Sequence, residues 1–195
     1  DLDAPIDVEA CLRETTDDVN IRGRYPAALV RRVKKKTGQN IGPRKRYVDF
    51  SYYPMKEHMQ LLAESAAILF PQLGTARAFR EIARMGTPTL RSSMVGKVLH
   101  NLAGGNTFAG LSLVTKGDCV SRDRGTARVS KQGDGFASVK LRKIYDFPNT
   151  VHVGIFEAGM VDLGNSGSVE VRVHSHCDVD LKLYVDRAPA TRSSI

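Results

Sequence analysis

Ala127-Arg128-Val129-Ser130-Lys131-Gln132-Gly133-Asp134-Gly135-Phe136-Ala137-Ser138-Val139-Lys140-Leu141-Arg142 is the stretch that decides the fold. Ala127 and Val129 alternate with Arg128 and Ser130. After the glycines, Ala137, Val139 and Leu141 alternate with Ser138, Lys140 and Arg142. A period of two is that of a half-buried strand, because successive side chains point to opposite faces. Gly133-Asp134-Gly135 supplies the turn. A three-residue loop there pairs Ala127 with Leu141 and Val129 with Val139, apolar with apolar, which makes a hairpin.

Upstream the period is 3.6. Tyr25-Pro26 opens a helix with Leu29, Val30 and Val33 on its apolar stripe and Gly38 as its C-terminal cap. Residues 39–54 read as an irregular connector, with Phe50, Tyr52 or Tyr53 expected to anchor it in the core. The clearest helix covers 55–70: Met55, Met59, Leu62, Ala66 and Leu69 recur at helical spacing and Pro71 ends it. A second pattern starts after Thr75, carries Phe79 and Ile82 inward and Arg77, Arg80, Glu81 and Arg84 outward, and stops at Gly86. A third has Thr87 as N-cap and Pro88 in its first turn, and runs through Met94, Val95, Val98 and Leu102. Asn106 caps a short fourth.

Downstream, Asn149 caps a helix from Thr150 to Leu163, closed by Gly164. Gly154 and Gly159 weaken it, and with Ala158 they flatten one surface for a close neighbour or a ligand. A last hairpin puts Val169, Val171 and Val173 on the same face as Val179, Leu181 and Leu183. The expected register sets Val173 opposite Leu181 around a His176-Cys177-Asp178 loop, with His174 opposite Asp180. Hairpins joined locally, with helices segregated from them, indicate α+β: an N-terminal helical layer on an antiparallel sheet built from two hairpins separated by one helix. The domain reading is a 1–24 extension, one α+β domain over 25–186 and a frayed tail over 187–195.

The chain has 195 residues and a net charge of +8, and the charge is concentrated. Arg22, Arg24, Arg31, Arg32, Lys34, Lys35, Lys36, Arg44, Lys45 and Arg46 follow one another with no acid between them, which leaves the remainder at −2. A solvated helix face is the plain reading of such a run. The functional reading is an anionic partner, held by Arg31, Arg32, Lys34, Lys35, Lys36, Arg44, Lys45 and Arg46. No apolar run approaches the length of about 20 residues that spans a membrane. The acidic start, Asp1-Leu2-Asp3, shows no signal-peptide pattern, and the lack of an initiator Met fits a chain trimmed or cut from something longer. Cys11, Cys119 and Cys177 are widely spaced and read as free thiols in a reducing compartment, so a cytoplasmic location is expected.

Motifs that carry chemistry are scarce. A P-loop, a dinucleotide glycine fingerprint, HExxH and GxSxG are all missing from the sequence. Ser92, Ser93 and Cys119 have no context that supplies a base and an oxyanion hole. His174, His176 and Cys177, with Glu170 and Asp180 nearby, could converge on a metal, but a second cluster to complete a tetrahedral set is missing. No catalytic residue, metal or cofactor is assigned.

Arg46-Tyr47-Val48-Asp49-Phe50, Tyr53-Pro54, Leu69-Phe70-Pro71, Ser93-Met94-Val95-Gly96-Lys97-Val98 and Phe147-Pro148 with Val153-Gly154 resemble, in this order, a protein family of unknown function known mainly as multiple paralogues in myxobacteria. The resemblance runs from about Tyr25 to Val185. That family is distantly similar to the superfamily of the haem nitric oxide/oxygen-binding domains, the vinyl-reductase-type domains and the TRAPP subunits. The resemblance implies a helical layer on an antiparallel sheet with a cavity between them, in sensor or assembly modules. It implies haem only weakly: His100 is the one histidine near the helix–sheet junction, and the Tyr-x-Ser-x-Arg motif of the haem-binding relatives is missing here.

These readings converge on a non-catalytic regulatory or scaffolding domain in signalling. A small apolar ligand is expected in a cavity lined by Met94, Val98, Gly154, Ala158 and Gly159, and an acidic protein partner on the basic helix. A second copy of the chain is a further partner the reading allows. The alternative is a nucleic-acid-associated module that contacts phosphates through residues 22–46, weakly and without sequence preference. The two differ in salt dependence and in what the basic segment retains.

Overall fold

The computed structural model describes residues 4–43, 46–92, 109, 110, 112, 113, 115, 117, 121–133 and 135–186, with the side chains of 87–92 and 130–132 left aside. The elements run α1 (Val8–Glu14), β1 (Asn20–Arg22), α2 (Arg24–Thr37), β2 (Tyr52–Pro54), α3 (Met55–Leu69), α4 (Thr75–Ser92), β3 (Thr126–Gly133), β4 (Phe136–Arg142), α5 (Val151–Asp162), β5 (Ser166–Ser175) and β6 (Asp178–Asp186). A four-stranded antiparallel sheet has the order β3-β4-β6-β5, and β1 and β2 form a small second sheet. The fold is α+β, helices on a sheet of two hairpins, as the change of period requires.

The residues expected to drive each helix do so. Met55, Met59, Leu62, Ala66 and Leu69 of α3 are all buried, as are Leu29 and Val33 of α2. Gly38 ends α2 in the left-handed conformation at φ 76°, and its N–H donates to Lys34 O at 2.9 Å. Helix α5 buries apolar residues toward two layers, with Val161 exposed and Asp162 half-buried at its end. Its Val153, Phe156 and Met160 pack with Val169, Val179, Leu181 and Leu183 of the sheet. Ile155 packs instead with the helical core, which Phe79 and Phe147 help to close with ring centroids 4.6 Å apart. Below the sheet's near end, Arg122 and Asp146 form an ion pair at 2.5 Å with both side chains almost fully buried, beside the backbone bridge from Arg122 to Ile21.

Several expectations change. Within the expected 1–24 extension, the described residues 4–24 make tertiary contacts: α1 packs on α3, and β1 pairs with β2 and buries Ile21 completely. The tail, 187–195, lies outside the described residues. The break expected at Gly86-Thr87-Pro88 does not occur, since α4 runs through it to Ser92. Pro88 cannot donate to the carbonyl of Arg84, a loss that costs a helix interior about 3 kcal/mol. The Arg32 guanidinium of α2 binds the same stretch of α4, donating to Ile82 O at 3.0 Å and Met85 O at 3.1 Å. In the connector Phe50 is 78% exposed and Tyr52 is exposed, whereas Tyr47 is buried and Tyr53 half-buried. Tyr47 is held by the Glu57 carboxylate, and its ring meets Tyr53 edge-on.

Both hairpins keep their predicted faces but shift in detail. Ala127 pairs with Leu141 and Val129 with Val139 as expected. A bulge between Val129 and Lys131 then absorbs one residue, so Gly133 pairs with Phe136 and the loop shortens to two residues. In the second hairpin Val169 faces Leu183, Val171 faces Leu181 and Val173 faces Val179. This register is two residues from the expected one. A shift by two preserves which side chains face the core, so hydrophobicity alone does not choose between them. A bulge at His174 accommodates the shorter turn.

Candidate functional site

A cavity of about 950 Å³ opens over the middle of the four-stranded sheet, beside the N-terminal end of α5. Val169, Val171 and Val173 of β5 give it apolar lining, and Val139 and Leu181 beside them have almost no exposed surface. Asn149 and Ala4 bound it, and Lys140, Glu170, Arg172, Asp180 and Lys182 supply polar and charged atoms. The period-two alternation of β4, β5 and β6 places the valines and leucine together. The position of α5 leaves part of them uncovered: Val169 is buried under it, Val171 is half-buried, and Val173 is 55% exposed. The sequence identified these residues as inward-facing. It could not show that the helix stops short of them, because that depends on the tertiary packing of α5.

Of the small residues expected to open a cavity along α5, Gly154 meets a neighbouring helix. A Cβ on Gly154 would lie 2.3 Å from Arg80 O and 3.0 Å from the Ala83 Cβ. The flat surface therefore receives the backbone of α4, and Gly154 leaves no room for a ligand. Gly159 is buried and Ala158 half-buried on the same helix. Met94 and Val98 lie outside the described residues, as does His100. Arg80 and Arg84, expected to face solvent, turn to Glu157 of α5. Arg84 donates to it twice, at 3.0 and 2.7 Å, and also to Glu81 at 2.6 Å.

The basic run divides. Arg31, Lys34, Lys35 and Lys36 are exposed along α2, with the Lys36 ammonium 5.1 Å from the Phe70 ring centre. Arg46 is exposed. Arg32 is a correction: burial lowers its pKa from the usual arginine value, and its donors are spent on α4. Arg44 and Lys45 lie outside the described residues. Arg24 and Tyr25 also have assigned work, both reaching the buried Ser121 hydroxyl, at 2.7 and 2.8 Å.

The histidine-rich turn makes separate pairs. His174 Nε2 lies 3.0 Å from Asp180 Oδ2 on a diagonal, since the residue directly opposite Asp180 is Arg172. Arg142 reaches the other oxygen of Asp180 at 2.6 Å. His176 Nδ1 lies 2.6 Å from Glu14 Oε2 of α1. Among the described residues, three or more His, Cys, Asp or Glu side chains nowhere gather as a metal set. Burial raises the pKa of Cys177 and, with help from Glu14 and Asp7, that of Cys11, so both thiols stay protonated and poorly nucleophilic near neutral pH. Cys119 lies outside the described residues.

The model of the family "Protein of unknown function (DUF2378)" matches residues 15–184. The chain belongs to this family. The DUF2378 chain matches no curated protein. Its fold is that of the H-NOX proteins. It is similar to an Fe(II) unliganded H-NOX protein from K. algicida, with 12% identity over 86% of this chain and 98% of that chain and a TM-score of 0.65. It is similar to an H-NOX protein from S. oneidensis in the Fe(II)NO ligation state, with 7% identity over 82% and 89% and a TM-score of 0.57. An oxygen binding H-NOX domain related to soluble guanylate cyclases gives 12% identity over 92% of each chain and a TM-score of 0.55. At these identities the likeness concerns the fold.

That likeness raises haem, whose iron takes an axial His, Cys, Met or Tyr. The described lining of the sheet cavity contains none of the four. His58 and His152 are buried in α3 and α5 and do not line it, with His58 edge-on to Tyr25 at 6.3 Å. Among the described residues, then, the sheet cavity offers no axial ligand for a haem iron.

Proposed function

We propose that this DUF2378 chain is a non-catalytic sensing or scaffolding domain that takes a small apolar ligand over its sheet. The observation that carries the reading is the cavity of about 950 Å³ over the sheet with Val169, Val171 and Val173 of β5 in its lining. Ligand sites are concave, largely apolar and completed by a few polar groups. Here Asn149 supplies one such group beside the valines, and the charged residues of the strands stand on the opposite face. The fold shared with an oxygen binding H-NOX domain supports a sensing role by analogy. Burial raises the pKa of the Cys11 and Cys177 thiols, which supports a role in binding.

The exposed face of α2, Arg31, Lys34, Lys35 and Lys36, is the surface for an acidic protein partner. Nucleic acid is the second reading, and the loss of Arg32 to structural work leaves it fewer cations. Any such binding is weak, independent of sequence and steeply salt-dependent. The described helices include none long and apolar enough to cross a membrane. A cytoplasmic location belongs to the same proposal.

An environment-sensitive apolar dye, anilinonaphthalene sulfonate, tests the ligand reading. The native chain should bind about one dye per cavity with enhanced fluorescence, and Val171→Trp, which enlarges a half-buried side chain of the lining, should abolish the signal while circular dichroism shows the variant folded. Equal dye binding by the folded variant would refute the assignment.

A further inference from the structure

Strand β5 is an edge of the four-stranded sheet, paired only with β6. Among the described residues, no other backbone group hydrogen-bonds to it. Exposed edges invite pairing with another chain, and proteins usually blunt them with lysine, proline or bulges. The opposite edge, β3, follows this rule: a bulge interrupts it between Val129 and Lys131. Strand β5 does not. Ser166 to Val173 is regular and contains neither Lys nor Pro, and Val173, near the end of that run, is 55% exposed.

The side chains of β5 are also self-complementary. Val169, Val171 and Val173 share one face, and Glu170 and Arg172, both exposed, share the other. In an antiparallel pair of two β5 strands with the twofold axis at Val171, Val171 meets itself and Val169 meets Val173 of the second copy. Glu170 meets Arg172 of the second copy, twice by symmetry. Moving the axis to Glu170 opposes two carboxylates, and moving it to Arg172 opposes two guanidinium groups. A shift that changes parity puts valines against charges. One register therefore satisfies both faces.

The ion-pair inventory leaves Arg172 available. Its cross-strand neighbour Asp180 is already engaged by Arg142 and His174. Among the described residues Arg172 has no carboxylate partner. Glu170 accepts from the Tyr184 hydroxyl at 3.0 Å and keeps room for a second donor.

We infer that β5 is a homodimerisation edge, joining two copies antiparallel about Val171 into one eight-stranded sheet. Isologous symmetry requires such a self-complementary patch. The apolar faces of the two copies become continuous, and the exposed Val173 is covered by Val169 of the second copy.

Charge exchange tests this in trans, read by sedimentation velocity across a concentration series. Glu170→Arg and Arg172→Glu each set like charges opposite in both pairs of the homodimer, and each alone should weaken self-association by about tenfold or more. An equimolar mixture should recover a heterodimer, because every facing pair is then opposite in sign. Circular dichroism confirms that each variant is folded. Independently, Val171→Cys should be cross-linked between copies by a short bismaleimide, whereas Val173→Cys should not exceed the native chain's background. A native chain that stays monomeric throughout the series, a mixture that fails to associate, or equal cross-linking at 171 and 173 would overturn the inference.

Discussion

Replacing Gly154 with alanine asks whether the small residues of α5 serve packing or an empty space. In a solvated helix the change is favourable by about 1 kcal/mol. Here the added Cβ would stand 2.3 Å from the carbonyl oxygen of Arg80 and 3.0 Å from the Ala83 Cβ. The nearer contact is with backbone, so relief requires α4 to retreat from α5. That motion also strains the Arg84–Glu157 hydrogen bonds and the Phe79–Phe147 contact. Overpacking a filled interior costs about 1–3 kcal/mol, and a backbone clash this close belongs at the upper end. After the propensity gain, a net loss of about 1–2 kcal/mol remains. For a chain of this size each kcal/mol shifts the melting temperature by about 2–4 °C, so Gly154→Ala should melt about 2–8 °C lower. Urea denaturation with an unchanged m-value would show that native stability is what fell. A variant as stable as the native chain would refute the close approach of the helices and reopen a cavity along α5.

Arg122→Leu should destabilise by about 3–5 kcal/mol, because it strands the buried Asp146 carboxylate, and Arg122→Leu with Asp146→Leu should recover most of that loss in the same denaturation assay. Arg32→Ala should cost about 1–3 kcal/mol through the two α4 carbonyls it leaves without its donors, whereas Lys35→Ala should stay within about 0.5 kcal/mol. Asp180 gives a pH signature: burial raises its pKa, but the hydrogen bonds from His174 and Arg142 outweigh this and hold it below the usual aspartate value. A depressed folded pKa means that the contribution is present above the unfolded pKa, about 3.9, and is lost as pH falls through the folded value. Asp180→Asn should therefore flatten the acid limb of the stability–pH curve and leave the limb above neutrality unchanged.

What the sequence disclosed, and what it withheld, divide along one line. Period is local, and it located α2, α3 and both hairpins with the correct faces inward; α5 lacks a period and was marked only by its flanking residues, and its N-cap is Thr150 without a side-chain bond, not Asn149. Register is only partly local. Shifting β5 against β6 by two residues leaves every valine facing the core, so the pattern could not choose, and the bulge at His174 decided it. The continuity of α4 through Pro88 was hidden as well, and so was the Arg32 guanidinium on the same stretch of α4, a contact from far away in sequence. The same tertiary contact removed Arg32 from the binding surface. At Gly154 the sequence signalled a close approach correctly but did not say by what. The partner proved to be another helix, α4.

The open part of the sheet carries both proposals, and that has a thermodynamic consequence. Val169, Val171 and Val173 line the cavity and also form the apolar face of the β5 edge. A ligand seated on them and a second copy paired beside them share the same side chains, so binding and dimerisation are linked. Linkage is reciprocal: if dimerisation alters ligand affinity by some factor, ligand alters dimerisation by the same factor. A bound molecule that stays within the lining completes the apolar face and favours the dimer. One large enough to project past Val173 blocks the edge and favours the monomer. Dye titrations at protein concentrations well below and well above the dimer dissociation constant separate the two, because only a coupled site changes its affinity between them. The sign of that change reports whether the domain would signal by assembling or by coming apart.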